Sequence, residues 1–96
     1  MTINISNEEG LYTVAPEGNL DYTSMEDFDA AVSEILPSAS ALIFNMENVP
    51  YISSAGIRVI ISAYDELETK GGVKLKNCNT IVRDIFEMTG LKALLE

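Results

Sequence analysis

The sequence predicts an α/β fold, a mixed β-sheet of about four strands that opens on a hairpin, with three main helices packed largely on one side. Three observations carry that reading. The opening residues alternate side-chain character with period two and are broken by the turn-forming run Asn7-Glu8-Glu9-Gly10, as two strands joined by a turn require. From residue 24 onward, apolar stripes spaced by three and four residues alternate with short strand-like runs, which is a strand–helix–strand–helix order. The helical stripes end on punctuating residues, Pro37, Gly71-Gly72 and Gly90. The two strand–helix–strand units should cross over right-handed.

The elements follow in order. "TINIS" (residues 2–6) sets Ile3 and Ile5 on one face, and "GLYTVAP" (10–16) sets Leu11, Thr13 and Ala15 on one face with Tyr12 and Val14 on the other. "PEGN" punctuates before Leu20 and Asp21. Residues 24–36 form the first helix, with Met25, Phe28, Val32, Ile35 and Leu36 as its stripe and Glu26 and Asp27 in its first turn, where the helix dipole favours anions. Ser24 or Thr23 is its expected cap. "ALIFNM" (41–46) is nearly continuous in apolar residues and predicts a strand buried on both faces. The second helix carries Ile57, Ile60, Ile61, Tyr64 and Leu67. "VKLKN" (73–77) alternates with Val73 and Leu75 inward. The third helix (79–89) carries Ile81, Val82, Ile85, Phe86 and Thr89, with Asn79 or Thr80 as cap and Gly90 at its C-terminal end. "LKALLE" is too short to assign.

At 96 residues the chain reads as one domain, 1–96, with no repeat or linker. Six basic residues face fifteen acidic ones, for a net charge of −9. With no basic cluster, nucleic acid and anionic membrane are poor candidates as partners, and neither is expected. The acidity serves either solubility or a protein partner with a basic face. No stretch approaches a membrane span, and the N-terminus lacks the basic-then-apolar pattern of a secretory signal. Cys78 is the only cysteine, which fits a reducing compartment. A cytoplasmic protein is expected.

Catalytic chemistry finds no footing. The chain has no histidine, so neither a Ser–His–Asp triad nor the usual zinc constellations can form. No glycine loop cradles a phosphate. Acidic pairs such as Asp27 with Asp29 sit at helix-surface spacing and read as solvated faces. The expectation is a non-enzyme without cofactor or metal.

The informative stretch is Ser53-Ser54-Ala55-Gly56, at the mouth of the second helix. A helix needs one serine as cap, and either hydroxyl could accept a first-turn N–H for ~1 kcal/mol. Phosphorylation is the other reading. A phosphoserine carries roughly −1.5 to −2 charges, which the free N–H groups and dipole of a helix N-terminus tolerate. The domain would stay folded, while a partner docked over the same helix end would meet a bulky anion. The two readings are compatible, since a capping serine can be the target. Arg58 reads either as a solvated helix charge or as a contact to that phosphate.

The run "FNMENVPYISSAGIRVII" resembles the signature of bacterial anti-sigma factor antagonists, which are STAS domains. In that family a strand ends in a loop carrying Asp-Ser-Ser/Thr-Gly-Leu or Ser-Ser-Ala-Gly-Leu, and a helix follows. "GNLDYTS", with Gly18, Leu20 and Asp21, resembles the family's Gly-Glu-Leu-Asp stretch, with Asn19 in place of Glu. "GGVKL" and "IFEMTGL" resemble its Gly-Gly turn and late helix. The likeness spans nearly the whole chain and implies a STAS-like fold. Many members continue beyond "GLKALLE", so a more exposed sheet edge is expected here.

The resemblance also implies a function. Alignment through Gly56 and Ile57 puts the family's phosphorylated serine on Ser54, with Ser53 as runner-up. It implies a partner-switching regulator of transcription that binds an anti-sigma factor/serine kinase when unmodified, releases it when phosphorylated, and is restored by a serine phosphatase. Asp21, Ser53, Ser54, Ala55, Gly56 and Arg58 are the expected docking residues, with Asn45 and Asn48 as weaker candidates. Two other readings stay open: a phosphorylation-independent STAS interaction module in a signalling assembly, and a small-anion or nucleotide sensor at the same helix end.

Overall fold

A computed structural model describes all 96 residues. Its first strand, β1 (Thr2–Glu8), pairs antiparallel with β2 (Leu11–Glu17). Strand β1 absorbs the first half of the expected turn, leaving Glu9 (φ 54°) and Gly10 (φ 96°) as a two-residue connection. Two successive positive φ angles match the right-handed twist of the strands they join, and the Asn7 side chain accepts the Gly10 N–H at 2.9 Å to close the turn. Helix α1 (Met25–Ile35) runs into a 3-10 turn at Leu36–Ser38, where Pro37 ends it. Then come β3 (Ala41–Asn45), α2 (Ser54–Leu67), β4 (Val73–Lys76) and α3 (Thr80–Met88).

The sheet order is β1-β2-β3-β4, with β2, β3 and β4 parallel. Sequential order with right-handed crossovers sends α1 and α2 over the same face. That face carries Val14, Leu42, Phe44, Val73 and Leu75, all essentially sealed from solvent. Phe28 of α1 tilts against Phe44 with ring centroids 5.8 Å apart, a favourable aromatic geometry. Helix α3 adds Val82 and Phe86 to the same cluster.

Several expectations need correction. Strand β3 is fully buried on one face only: Leu42 and Phe44 face the helices, while Ala41, Ile43 and Asn45 are half-buried on the other side. No layer covers that second face. Ile43 is shielded by its position between Thr13 and Lys74 on the flanking strands. On β2 the core face is Tyr12, Val14 and Pro16, and Ile5 of the edge strand β1 remains exposed. Neither Thr23 nor Ser24 caps α1 through its side chain. In α2, Val59 and Ala63 join the buried stripe, whereas Ile61 and Tyr64 are only half-buried. Ile81 and Thr89 of α3 face solvent, because this short helix touches the core only through one narrow side. "LKALLE" forms a 3-10 turn at Lys92–Leu94, after which Leu95 bridges to Leu75 and partly covers the edge of β4.

Candidate functional site

Two loops leave the carboxyl ends of neighbouring parallel strands and run side by side. One follows β2 and holds Asp21, and the other follows β3 and holds the serine pair. Leu20 N–H donates to Tyr51 O at 3.0 Å, and Ser53 N–H donates to Leu20 O at 2.8 Å. Leu20 and Ile52 thus form a parallel bridge outside the sheet proper. Gly18 N–H adds a bond to Asn48 O at 2.9 Å. Leu20, Met46, Val49 and Ile52 point inward and are buried, which anchors both loops to the core. The alternation leaves Asp21 and Tyr51 on the outer side.

Gly56 explains how close the loops come. It is buried, and a Cβ on it would lie 2.8 Å from Ile52 Cγ1 and 3.1 Å from Leu20 Cβ. Only a residue without a side chain lets α2 sit on the bridge. Gly56 therefore shapes the surface from beneath and offers no side chain to a partner, unlike the docking role expected of it. Ala55 is half-buried beside it.

The serines differ. Ser53 is the N-cap residue by position, with extended backbone (φ −91°, ψ 173°), yet its side chain makes no capping bond. Its Oγ is buried and unpartnered. Ser54 is the first residue of α2 and is exposed. Capping by either hydroxyl, the plain structural explanation for the pair, is not realised. The N–H groups of Ser54, Ala55 and Gly56 consequently have no acceptor in the chain, as the first backbone bond of the helix runs from Ile57 N–H to Ser53 O at 3.1 Å. Unpaired donors of this kind give a helix N-terminus its affinity for anions.

Asp21 closes its own turn. Its Oδ1 accepts the Thr23 hydroxyl at 2.6 Å and the Thr23 N–H at 2.9 Å. Those bonds, the hydroxyl's first, hold its carboxyl below the ordinary value of 3.8. Ser24, expected at the helix cap, instead turns back. Its hydroxyl donates to Asn19 O at 2.7 Å and accepts the Asp21 N–H at 3.1 Å, which fixes the loop that presents Asp21.

Arg58 is exposed one turn into α2. The Asn45 side chain is engaged elsewhere, its Oδ1 accepting Asn77 Nδ2–H at 3.1 Å and the Glu47 N–H at 3.2 Å. Asn48 is exposed and joins the loops through its carbonyl. Helix α3 is tied to the site by Asn79, whose Oδ1 caps Val82 N–H at 2.8 Å while its Nδ2 donates to Pro50 O at 3.1 Å.

Sequence reasoning missed two residues of this surface. Tyr22 is 82% exposed and Tyr51 46% exposed, and they adjoin Asp21 and Ile52 in the two paired loops. Large aromatics left in solvent beside a candidate docking site are natural anchors for a protein partner. The site itself is not a cavity. The nearest approach to one, a shallow depression of about 200 Å³ lined by Tyr64, Glu68, Gly71 and Lys74 among others, lies at the opposite end of α2.

Comparison with known proteins gives consistent results. The sequence model of the STAS domain matches residues 2–96. The anti-sigma F factor antagonist of Lysinibacillus sphaericus is 27% identical over 77 residues, covering 77% of this chain and 66% of that protein, just under two thirds of its length. The anti-sigma factor antagonist SpoIIAA in its unphosphorylated form shares the fold with a TM-score of 0.86 at 22% identity, covering 99% of this chain and 86% of that one. The Bacillus SpoIIAA in its phosphorylated form gives 0.79 at 21% identity, covering 99% and 89%. An anti-sigma factor antagonist from Mycobacterium paratuberculosis gives 0.87 at 19% identity, covering 98% and 81%.

Proposed function

The chain belongs to the STAS domain family, and from that membership and the exposed hydroxyl at the start of α2 we propose that it is a phospho-switched anti-sigma factor antagonist. Unmodified, it binds an anti-sigma factor that is also a serine kinase, and so frees a sigma factor in the cytoplasm. The kinase transfers the γ-phosphoryl of ATP to Ser54 Oγ. The bond from phosphorus to the ADP oxygen breaks, the Oγ–P bond forms, and the hydroxyl proton is released. The modified domain then leaves its partner, until a serine phosphatase hydrolyses the ester to restore the hydroxyl and release inorganic phosphate.

One observation carries this reading: Ser54 is exposed and free of bonds, whereas the neighbouring Ser53 Oγ is buried. A modifying enzyme reaches Ser54 without unfolding the helix. The unpaired N–H groups of the first turn offset part of the new charge, so the fold tolerates it. Solved forms of SpoIIAA, both unphosphorylated and phosphorylated, share this chain's fold, which supports a switch that acts on the interface and spares the core. Binding is lost through sterics and desolvation at the helix end. Asp21, Tyr22 and Tyr51 border the same surface and complete the docking face.

The test is phosphate incorporation with the cognate kinase and ATP, mapped by mass spectrometry. One phosphate on Ser54 is expected, abolished in S54A and retained in S53A. Undiminished labelling of S54A rejects the assignment. S54D should bind the partner at least tenfold more weakly, with its thermal unfolding nearly unchanged, on the order of 1.4 kcal/mol of lost binding. Equal binding by wild type and S54D would instead favour a phosphorylation-independent module. Saturable nucleotide binding by the isolated domain would instead favour a sensor.

A further inference from the structure

We propose that Arg58 is the internal receptor of the Ser54 phosphate, folding its guanidinium back over the first turn of α2 once the ester has formed. The inference rests on Ser54 being the modified residue. Ser54 and Arg58 stand four residues apart on one helix, so they share a face one turn apart. Helical side chains lean toward the N-terminus, and a long side chain covers the turn preceding its own Cα. An Arg58 side chain that follows this lean covers the turn that carries Ser54, and both residues are exposed.

Arg58 is also uncommitted. The molecule holds one ion pair, between the N-terminal ammonium of Met1 and Asp27 at 3.0 Å, and Arg58 takes part in neither an ion pair nor a side-chain hydrogen bond. That is unexpected in a chain with fifteen acidic residues and six basic ones. The distribution sharpens the point. Nine acidic residues and no lysine or arginine precede residue 58, and the next cation after Arg58 is Lys70. The only basic side chain in the first 69 residues stands one turn from the serine pair.

Asp21 stands on the adjoining loop, one residue after the Leu20 carbonyl that accepts the Ser53 N–H, and its bonds to Thr23 favour its charged form. The three free N–H groups of the first turn favour the dianion from along the helix axis. Arg58 adds a charge-assisted contact from the side, and its fork matches two phosphate oxygens. Modification then alters two side chains of the docking surface: the hydroxyl becomes a dianion, and the guanidinium is withdrawn from solvent.

The test installs phosphoserine at position 54 during translation, in wild type and in R58Q and R58K. The second ionisation of the phosphate is followed by phosphorus NMR, with circular dichroism as a check on folding. Wild type should hold the phosphate proton roughly two- to fivefold more weakly than R58Q, the range an exposed ion pair supports, with R58K between them. Replacing Arg58 with Gln should lower the melting temperature of the phosphorylated domain more than that of the unmodified one. Identical titration curves for wild type and R58Q overturn the proposal. Because the phosphate is installed without the kinase, a lower proton affinity in wild type combined with no Ser54 phosphate in cells would sink the functional reading and leave the receptor role standing.

Discussion

At the scale of single residues, Gly56 links the packing of the fold to the geometry of the site. Helix propensity alone would make Gly56→Ala stabilising by about 1 kcal/mol. The added methyl, however, would meet Ile52 Cγ1 at 2.8 Å and Leu20 Cβ at 3.1 Å. Leu20 and Ile52 are sealed in the core, and a Cβ cannot move without its backbone. Overpacking of this kind costs roughly 1–3 kcal/mol, so Gly56→Ala should lose about 1–2 kcal/mol in urea unfolding and separate the two loops. A stabilised variant would show that the helix slides off the bridge freely. That something packs closely on Gly56 was legible in the sequence, because a glycine inside a helical stripe needs a reason. The inversion of Ser24 was not. Its bonds to Asn19 and Asp21 exist only because the paired loops bring those groups together. The exposure of Tyr22 and Tyr51 was hidden for the same reason, since an aromatic in a loop reads equally well as core.

At the scale of elements, periodicity located every α-helix and strand, though neither 3-10 turn, and it misjudged faces wherever a neighbour decided them. "ALIFNM" is continuous because Ile43 is shielded by adjacent strands, without any second helical layer. The α3 stripe was read too wide because an edge helix needs only Val82 and Phe86, with Ile85 half-buried, to attach. Ile81 is left 59% exposed. The cap of α3 has consequences beyond its own helix. Asn79 satisfies Val82 N–H and also grips Pro50 O, in the loop that leads to the serines. Asn79→Ala should cost about 1 kcal/mol, as lost caps do, and should also speed amide exchange across residues 46–53. Lost stability with unchanged exchange in that loop would mean that Asn79 serves α3 alone.

At the scale of the whole molecule, charge is distributed unevenly. The first 57 residues carry the entire net charge of −9, while the remaining 39 balance six acids with six bases. The exposed face of α1 contributes Glu26, Asp27, Asp29 and Glu34, and only Asp27 has an ionic partner. Folding draws these carboxylates into a body 31 × 27 × 19 Å across. At 0.01 M salt the screening length is about 30 Å, and at 0.15 M it is about 8 Å. In dilute buffer every acidic group therefore repels the others across the whole domain, and physiological salt removes most of that repulsion. With one exposed ion pair to lose and broad repulsion to relieve, stability should rise with sodium chloride between these limits. The gain should be on the order of 1 kcal/mol, roughly 4–8 °C for a domain of this size. Thermal unfolding at pH 7 measures it, and replacing Glu26 and Asp29 with lysine should reduce the salt effect. A melting temperature that falls with salt would mean that attraction dominates the surface after all. The same field should draw a basic partner, so salt should slow association with that partner while it stabilises the free domain. Opposite signs for the two effects follow from a single cause, and a partner whose association is indifferent to salt would show that the acidic half faces away from the docking surface.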